Sequence, residues 1–142
     1  MALSNPEFKS VPAKDCSEMI NRITAMNEEQ FAQMQRMSAA SLTTDSSKFD
    51  EIVSWGLKSD RETFAKMYCD FSNTDLRERI KSITVPSLIL LEPHFRNIEA
   101  VIKEQYKKLP TVQFAYANKG LHFVMFDDKE WFMNQISEFI KE

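Results

Sequence analysis

The sequence predicts an α/β protein in which helices precede a parallel β-α-β-α unit. Residues 15–83 carry apolar side chains at helical spacing and contain no strand pattern. The apolar run VPSLILLE, with Pro86 near its start, is typical of a strand buried on both faces. A helix over about 97–109, a second strand in TVQFAYAN and a final helix follow. This order indicates two parallel strands joined by a right-handed crossover.

The chain divides after residue 83 into two regions. Residues 1–83 form the helical region, with an extended lead-in at 1–14, and residues 84–142 form the β-α-β-α unit. Helix starts are predicted where a capping residue precedes an acidic or amide residue by three positions. These pairs are Asp15 with Glu18, Asn27 with Gln30, Ser59 with Glu62, and Asp127 with Glu130. Asp127 and Asp128 are therefore interpreted as an N-cap pair that the helix dipole favours.

Composition argues against several function classes. The formal charge of −3 over 142 residues leaves no basic footprint for nucleic acid. No apolar run approaches the ~18 residues that span a bilayer, and the N-terminus lacks a signal-peptide pattern. The two cysteines have no metal-type spacing and are too few for a disulfide framework, and two glycines cannot form a Gly-rich phosphate loop. We therefore expect a cytoplasmic protein without cofactor, metal, nucleic-acid partner or membrane partner.

The stretch KGLHFVMFDDKEWF, residues 119–132, contains the main candidate for a catalytic residue, His122. His122 comes directly after the second predicted strand, and sites in doubly wound sheets gather at the carboxyl ends of the strands. A histidine in such a loop is well placed to act as a general base. The alternative interpretation is that His122 is a structural loop histidine that caps the end of the strand.

The order His-Phe-x-Met-x-Asp-Asp-x-x-x-Phe, from His122 to Phe132, resembles the histidine loop of the α/β-hydrolase family. The helices of 15–83 are similar to the family's helical cap, which is inserted before the last two strands. The resemblance implies that His122 holds the position of the catalytic base. It also implies a serine nucleophile and a small, largely apolar ester, amide or carbon–carbon substrate.

Two departures from the family pattern limit this prediction. The chain contains no Gly-x-Ser-x-Gly nucleophile turn, because its only glycines are Gly56 and Gly120. It therefore resembles the C-terminal half of an enzyme and is expected to be inactive alone. The family's acid position after the first of the two strands falls on Phe95, which leaves Glu92 as a weak candidate. Some members carry the acid after an earlier strand.

Other candidate site residues have simpler alternatives. A metal site at Glu92 and His94 would need a third ligand, and none is spaced nearby. Cys16 or Cys69 acting as a nucleophile with His122 is less favoured than two buried, inert thiols. Methionine and aromatic residues at helical spacing are first interpreted as core, but in a cap some of them would line the substrate pocket. The candidates are Phe31, Met34, Met37, Trp55, Met67, Tyr68 and Phe71.

The alternatives to an enzyme segment are a non-catalytic, homo-oligomeric binding module with a Met/Phe-rich surface, and a stable fragment without a function of its own. A homodimer is expected because a two-stranded parallel sheet leaves the backbone edge of residues 85–91 open. The apolar face of Leu88, Leu90, Phe114 and Tyr116 would also be uncovered.

Overall fold

The computed structural model describes residues 14–141, and the predicted lead-in lies outside them except for Lys14. The helices are α1 (Ser17–Thr24), α2 (Glu28–Leu42), α3 (Phe49–Leu57), α4 (Arg61–Asn73), α5 (Glu99–Gln105), α6 (Val124–Asp127) and α7 (Lys129–Lys141). The strands are β1 (Ser87–Leu91) and β2 (Val112–Tyr116). Short 3-10 turns occupy Ser46–Lys48, Ile80–Ser82 and Pro93–Ile98.

The two strands pair in parallel, as the sequence predicts. Ser87 lies opposite Val112, and Leu91 lies opposite Tyr116. Within residues 15–83 the structure contains helices and turns and no strand, which agrees with the predicted fold class. Leu91 O accepts a hydrogen bond of 2.8 Å from the backbone N–H of Ala117, so the pairing continues to the carboxyl ends of both strands.

The crossover between the strands differs from the predicted helix over 97–109. It opens as a 3-10 turn at Pro93–Ile98, and α5 ends at Gln105. Pro93 has a backbone dihedral suited to a first turn but has no N–H to donate. At the other end of the crossover, Pro110 disfavours helical dihedrals at Leu109. The Leu109 side chain is buried, as predicted.

The helical region contains two apolar clusters. The first joins Ile23, Phe31 and Ala65, so α1, α2 and α4 pack together. The rings of Phe31 and Phe64 meet edge to face at 5.7 Å between centroids. The second cluster is built from Ala39, Ile52 and Val53, with Phe49, Phe123 and Phe126 packed against it. Because two of these aromatic residues follow His122 in the chain, this cluster joins the helical region to the histidine loop.

Only one of the predicted helix starts in the helical region has the predicted capping box. Asn27 and Gln30 form the reciprocal pair at the start of α2. Asp15 instead accepts hydrogen bonds from the N–H and hydroxyl of Ser17. Cys16 occupies the N-cap position, so α1 begins one residue later than predicted. Asp60, not Ser59, caps α4, since its carboxylate accepts from Thr63 N at 2.9 Å.

Cys16 and Cys69 form a disulfide, which corrects the prediction of two free thiols. Their Cα atoms are 5.9 Å apart although 53 residues separate them in sequence. The bond fixes the residue before α1 to α4, and it removes both sulfurs as nucleophile candidates. Disulfides persist in oxidising surroundings, so the cytoplasmic location stays a prediction. Among residues 14–141, no helix is long and apolar enough to cross a membrane.

We predict that reducing the Cys16–Cys69 bond lowers the free energy of unfolding by about 2–4 kcal/mol, because the bond restrains a loop of about 50 residues in the unfolded chain. Chemical unfolding with and without a phosphine reductant measures the difference. The variant carrying Cys16→Ser and Cys69→Ser is the control and should unfold like the reduced protein in both conditions. Rapid reaction of two native thiols with Ellman's reagent before reduction would contradict the prediction.

Candidate functional site

A cavity of about 450 Å³ lies at the carboxyl end of β1. Glu92 and His122 both contribute to its wall, so the structure brings the two predicted catalytic candidates to one cavity. No bonds link these side chains, and their catalytic roles stay predictions. The remaining wall is mostly apolar and consists of Phe71, Thr74, Leu76, Arg77, Ile80, Leu90, Leu91, Phe95, Gln105 and Tyr106.

The loop before His122 is shaped by Gly120. Its φ of 96° lies in the left-handed region that favours glycine. A Cβ atom at this position would lie 2.3 Å from Cβ of Asp127, so any side chain would collide with that residue. On the far side of the histidine, the N–H of Phe123 donates a 2.7 Å hydrogen bond to Leu42 O at the end of α2. The backbone around His122 is therefore fixed on both sides.

The His122 side chain is exposed at this position. Its ring centroid is 5.6 Å from that of Phe123, and the imidazole makes no hydrogen bond to any of residues 14–141. A fixed backbone with an unpaired imidazole leaves both ring nitrogens available to a bound molecule.

Asp127 connects the histidine loop to the helical region. Its carboxylate accepts hydrogen bonds from the Thr43 hydroxyl (2.6 Å) and from Leu121 N (2.7 Å). It also accepts from the N–H groups of Thr44 (2.9 Å) and Asp45 (3.1 Å). The predicted N-cap role is wrong, because Asp127 ends α6 and faces earlier chain segments. Most of the hydrogen-bond donors to Asp127 come from the loop between α2 and α3, and not from the first turn of α7 as predicted.

These donors outweigh the cost of removing the Asp127 carboxylate from water. Burial raises the pKa of Asp127, but hydrogen bonds from Thr43, Leu121 and Thr44 stabilise the ionised form more strongly. The net pKa therefore lies below the ordinary 3.8. The junction is a charge-assisted set of hydrogen bonds, which is stronger than a neutral set of the same size.

Glu92 begins the 3-10 turn that follows β1. It is partly buried, and its carboxylate has no hydrogen-bond or ion-pair partner in the part of the chain that the structure describes. The same turn is tied to the end of β2, because Arg96 Nη2 donates to Tyr116 O at 2.7 Å. Its guanidinium also lies 5.4 Å from the Tyr116 ring centroid. Phe95, at the family's acid position, gives the cavity an apolar wall.

The predicted substrate-binding residues are dispersed, and only Phe71 lines the histidine cavity. Phe31 is 1% exposed and Met34 packs beside it, so both belong to the first apolar cluster. Met37 is 72% exposed on the surface of α2. Trp55 contacts the histidine loop instead, with its ring 6.4 Å from that of Phe123.

Met67 and Tyr68 lie with Phe71 along a separate groove on α4. The groove has a volume of about 600 Å³ and begins near Ser59 and Asp60. Each of the three large apolar side chains is at least half exposed, at 66%, 53% and 51% respectively. Phe71 is therefore the residue that the groove and the histidine cavity share.

Sequence reasoning missed Gln105 and Arg77. Gln105 follows Ile102 by three positions, and this spacing places it on the buried face of α5. Arg77 donates from Nε to Asp75 Oδ1 at 2.8 Å, and its hydrogen bonds lower the pKa of Asp75 to about 2. The Arg77 charge at the cavity wall is therefore already paired.

Comparison with protein-family models finds no match. Over 68 residues the chain is 35% identical to a proline iminopeptidase of Chitinophaga pinensis and 29% identical to one of Flavobacterium johnsoniae. The matched stretch is 48% of this chain and 23% of each relative, so the chain spans about a quarter of the length of these curated proteins.

The solved structure of MenH from S. aureus, an α/β-hydrolase, is similar in fold. Its TM-score is 0.57 at 19% sequence identity, and the similarity covers 89% of this chain and 45% of that chain. The predicted resemblance to the C-terminal part of an α/β-hydrolase is thereby confirmed at the level of the fold.

We predict that Asp127→Asn lowers the free energy of unfolding by about 2–3 kcal/mol. The NH₂ group of the asparagine would face backbone N–H groups and leave some of them without an acceptor. Urea unfolding at neutral pH measures the loss. In the wild type, the stabilisation is complete above the unfolded-state pKa of 3.8 and is lost as pH falls through the lower folded-state pKa.

Asp128→Asn is the matched control, because its carboxylate does not bond the loop between α2 and α3. This variant should keep both the neutral-pH stability and the loss of stability below about pH 4. Equal stability of the Asp127→Asn and Asp128→Asn variants would contradict the proposed importance of the Asp127 junction.

Proposed function

We propose that this chain, which has the fold of the C-terminal part of an α/β-hydrolase, supplies the helical cap and the histidine base of a serine hydrolase. The observation that carries the proposal is the position of His122. It follows β2 on a loop with a fixed backbone, exposes its imidazole and lines an apolar cavity together with Glu92.

In the completed site, a serine hydroxyl would attack the substrate carbonyl while His122 accepts its proton. The imidazolium would then donate that proton to the leaving group, and water would release the acyl group by the reverse transfers. An acid must orient the imidazole, and Glu92 is the candidate in this chain. The sequence has no Gly-x-Ser-x-Gly turn, so the nucleophile and the oxyanion hole must come from outside these 142 residues.

The cavity favours a small, largely apolar substrate of the ester, amide or carbon–carbon class. Its volume of about 450 Å³ is within the usual range for small-molecule sites. Aromatic and aliphatic side chains, including Phe71, Leu90 and Phe95, form most of its wall. Both curated relatives are named proline iminopeptidases, which supports the amide member of this class.

We predict that the complete gene product hydrolyses a short activated ester or amide. Sequencing the transcript upstream of the Met1 codon provides its reading frame. His122→Ala should lower kcat on the order of 10⁴-fold or more, because the serine loses its base. His94→Ala is the matched control. His94 is also exposed after a strand but does not line the cavity, so this variant should keep activity.

The 142-residue chain alone should show no turnover and no labelling by a fluorophosphonate, because it lacks the nucleophile turn. Stoichiometric labelling of one serine in this chain, abolished by His122→Ala, would contradict the proposal. An upstream sequence without a strand, a Gly-x-Ser-x-Gly turn and a helix would also contradict it.

A homo-oligomeric binding module is the second candidate, and the exposed groove of Met67, Tyr68 and Phe71 favours it. The sheet gives a further reason for self-association. Parallel strands are normally buried on both faces, but every residue of β1 is only partly buried. A second groove of about 640 Å³ lies beside β2 and is lined by Pro86, Pro110, Thr111, Val112, Gln113 and Phe139.

We predict that the chain forms a homodimer at micromolar concentration, with an apolar interface larger than ~1,200 Å². Sedimentation equilibrium over a range of concentrations tests this. Val85→Lys should weaken the dimer if the edge of residues 85–91 is the contact, whereas Met37→Lys, on the exposed surface of α2, should not. A stable monomer at tens of micromolar, with both strands protected from hydrogen exchange, would overturn the dimer.

A further inference from the structure

A row of aromatic rings lies along the groove on α4. The ring centroids of Phe64 and Tyr68 are 6.4 Å apart, and those of Tyr68 and Phe71 are 6.3 Å apart. Met67 lines the same groove, and it is exposed, as are Tyr68 and Phe71. Contiguous apolar side chains that stay in water are typical of a surface that binds another molecule.

The groove meets the histidine cavity at Phe71, which contributes to the walls of both. The Phe71 side chain is about half exposed, so a bound molecule can contact its ring. Beyond Phe71, the cavity wall continues through Thr74, Leu76 and Ile80 and includes His122. The groove is therefore an apolar extension of the cavity to which His122 contributes.

The chemistry of the groove favours a hydrocarbon chain over an extended peptide. Among the described residues that line it between Thr63 and Phe71, only Tyr68 carries a conventional hydrogen-bonding group. The backbone N–H and C=O groups in the interior of α4 bond within the helix. A peptide would turn backbone donors and acceptors towards a wall that cannot satisfy them, whereas a hydrocarbon chain has none.

The continuity with the cavity favours a hydrocarbon chain over a helix of a partner protein. An amphipathic helix can cover an apolar groove, but its diameter with side chains is about 10 Å. Such a helix could occupy the groove and could not follow the wall into a cavity of about 450 Å³. A linear chain of methylenes is narrow enough to lie in both.

We propose that the groove on α4 binds the linear acyl chain of an ester whose carbonyl group lies in the histidine cavity. This inference rests on the proposed function and extends its small apolar substrate to one with an elongated acyl group. Thr63 and Phe71 are eight residues apart on α4, which corresponds to about 12 Å of groove beyond the cavity. The far end is polar, because the Asp60 carboxylate accepts a hydrogen bond of 2.9 Å from Thr63 N.

The test compares three neutral esters that share one head group: 1-butanoylglycerol, 1-octanoylglycerol and 1-dodecanoylglycerol. Each is titrated into the ¹⁵N-labelled 142-residue chain below its critical micelle concentration, and Kd is read from amide shifts. Full burial of one methylene corresponds to about a fourfold decrease in Kd. Because the groove side chains stay about half exposed, we expect about twofold per methylene, and therefore more than tenfold between octanoyl and dodecanoyl.

The position of the shifts separates the groove from the cavity. Amides of residues 63–71 should respond to the longer esters and not to 1-butanoylglycerol. Amides near His122 should respond to all three ligands, because the ester group is common to them. Shifts of residues 63–71 that are equal for all three esters would contradict the proposed orientation.

Met67→Glu places a charge in the groove at a residue that does not line the cavity. It should remove the tenfold gain between octanoyl and dodecanoyl and leave 1-butanoylglycerol binding unchanged. Phe71→Ala changes the wall that the groove and the cavity share, so it should weaken the binding of all three esters. An equal loss for all three esters in Met67→Glu would refute a separate acyl subsite.

Met37→Glu is the matched control, because Met37 is an equally exposed methionine on another helix. It is 72% exposed on α2, compared with 66% for Met67, and it lines neither the groove nor the cavity. This variant should keep the full dependence on chain length. Loss of that dependence in both glutamate variants would assign the binding to apolar surface in general and overturn the proposal.

Equal affinity for all three chain lengths, or no binding of 1-dodecanoylglycerol, would also overturn the proposal. If Met67→Glu instead converts a dimer to a monomer in sedimentation and no ester binds, the groove is a contact between copies of this chain. The titration needs no turnover. A dependence on chain length without hydrolysis by the complete gene product would therefore refute the proposed function alone, and hydrolysis without that dependence would refute the role of the groove alone.

Discussion

The arrangement of this protein depends on the hydrogen bonds to one carboxylate, that of Asp127. It receives the Thr43 hydroxyl and two N–H groups from the loop between α2 and α3, and it receives Leu121 N from the histidine loop. The loop between α2 and α3 thus bonds a carboxylate that lies 82 to 84 residues later in the chain. Gly120 is required because no other residue leaves room for Asp127 at a φ of 96°. The position of His122 therefore depends on the helical region as much as on the sheet.

Apolar packing reinforces the same junction. Phe123 and Phe126 pack on the cluster of Ala39, Ile52 and Val53, so residues that follow His122 complete the second apolar cluster of the helical region. Trp55 lies 6.4 Å and 6.3 Å from the two phenylalanine rings. Hydrogen bonds fix the direction of the loop and these contacts hold it in place, because the burial of apolar area stabilises without a preferred direction. The helical region and the histidine loop are thus joined by both hydrogen bonds and apolar packing.

Local patterns in the sequence predicted the elements, and long-range contacts decided the details. The strands at Ser87–Leu91 and Val112–Tyr116 and the capping box at Asn27 follow from neighbouring residues, and all three predictions are confirmed. The disulfide of Cys16 was missed because sequence spacing does not tell whether two helices meet. The role of Asp127 was missed for a similar reason: most of its donors lie in the loop between α2 and α3, so a local helix signal gave the wrong partner. Glu92 and His122 were predicted separately, and only the fold brings them to one cavity.

Polar groups without partners among residues 14–141 occur at that cavity and also away from it, at Gln35 Nε2 and the Tyr116 hydroxyl. Glu92 and the His122 imidazole bond none of residues 14–141, and both polar atoms of Gln105 are buried and unpaired. Elsewhere, exposed charges such as Arg36, Lys66 and Lys103 have ion-pair partners although such pairs contribute little stability. Buried unpaired groups of this kind are the ones whose hydrogen bonds another molecule, such as a water or a ligand, can complete.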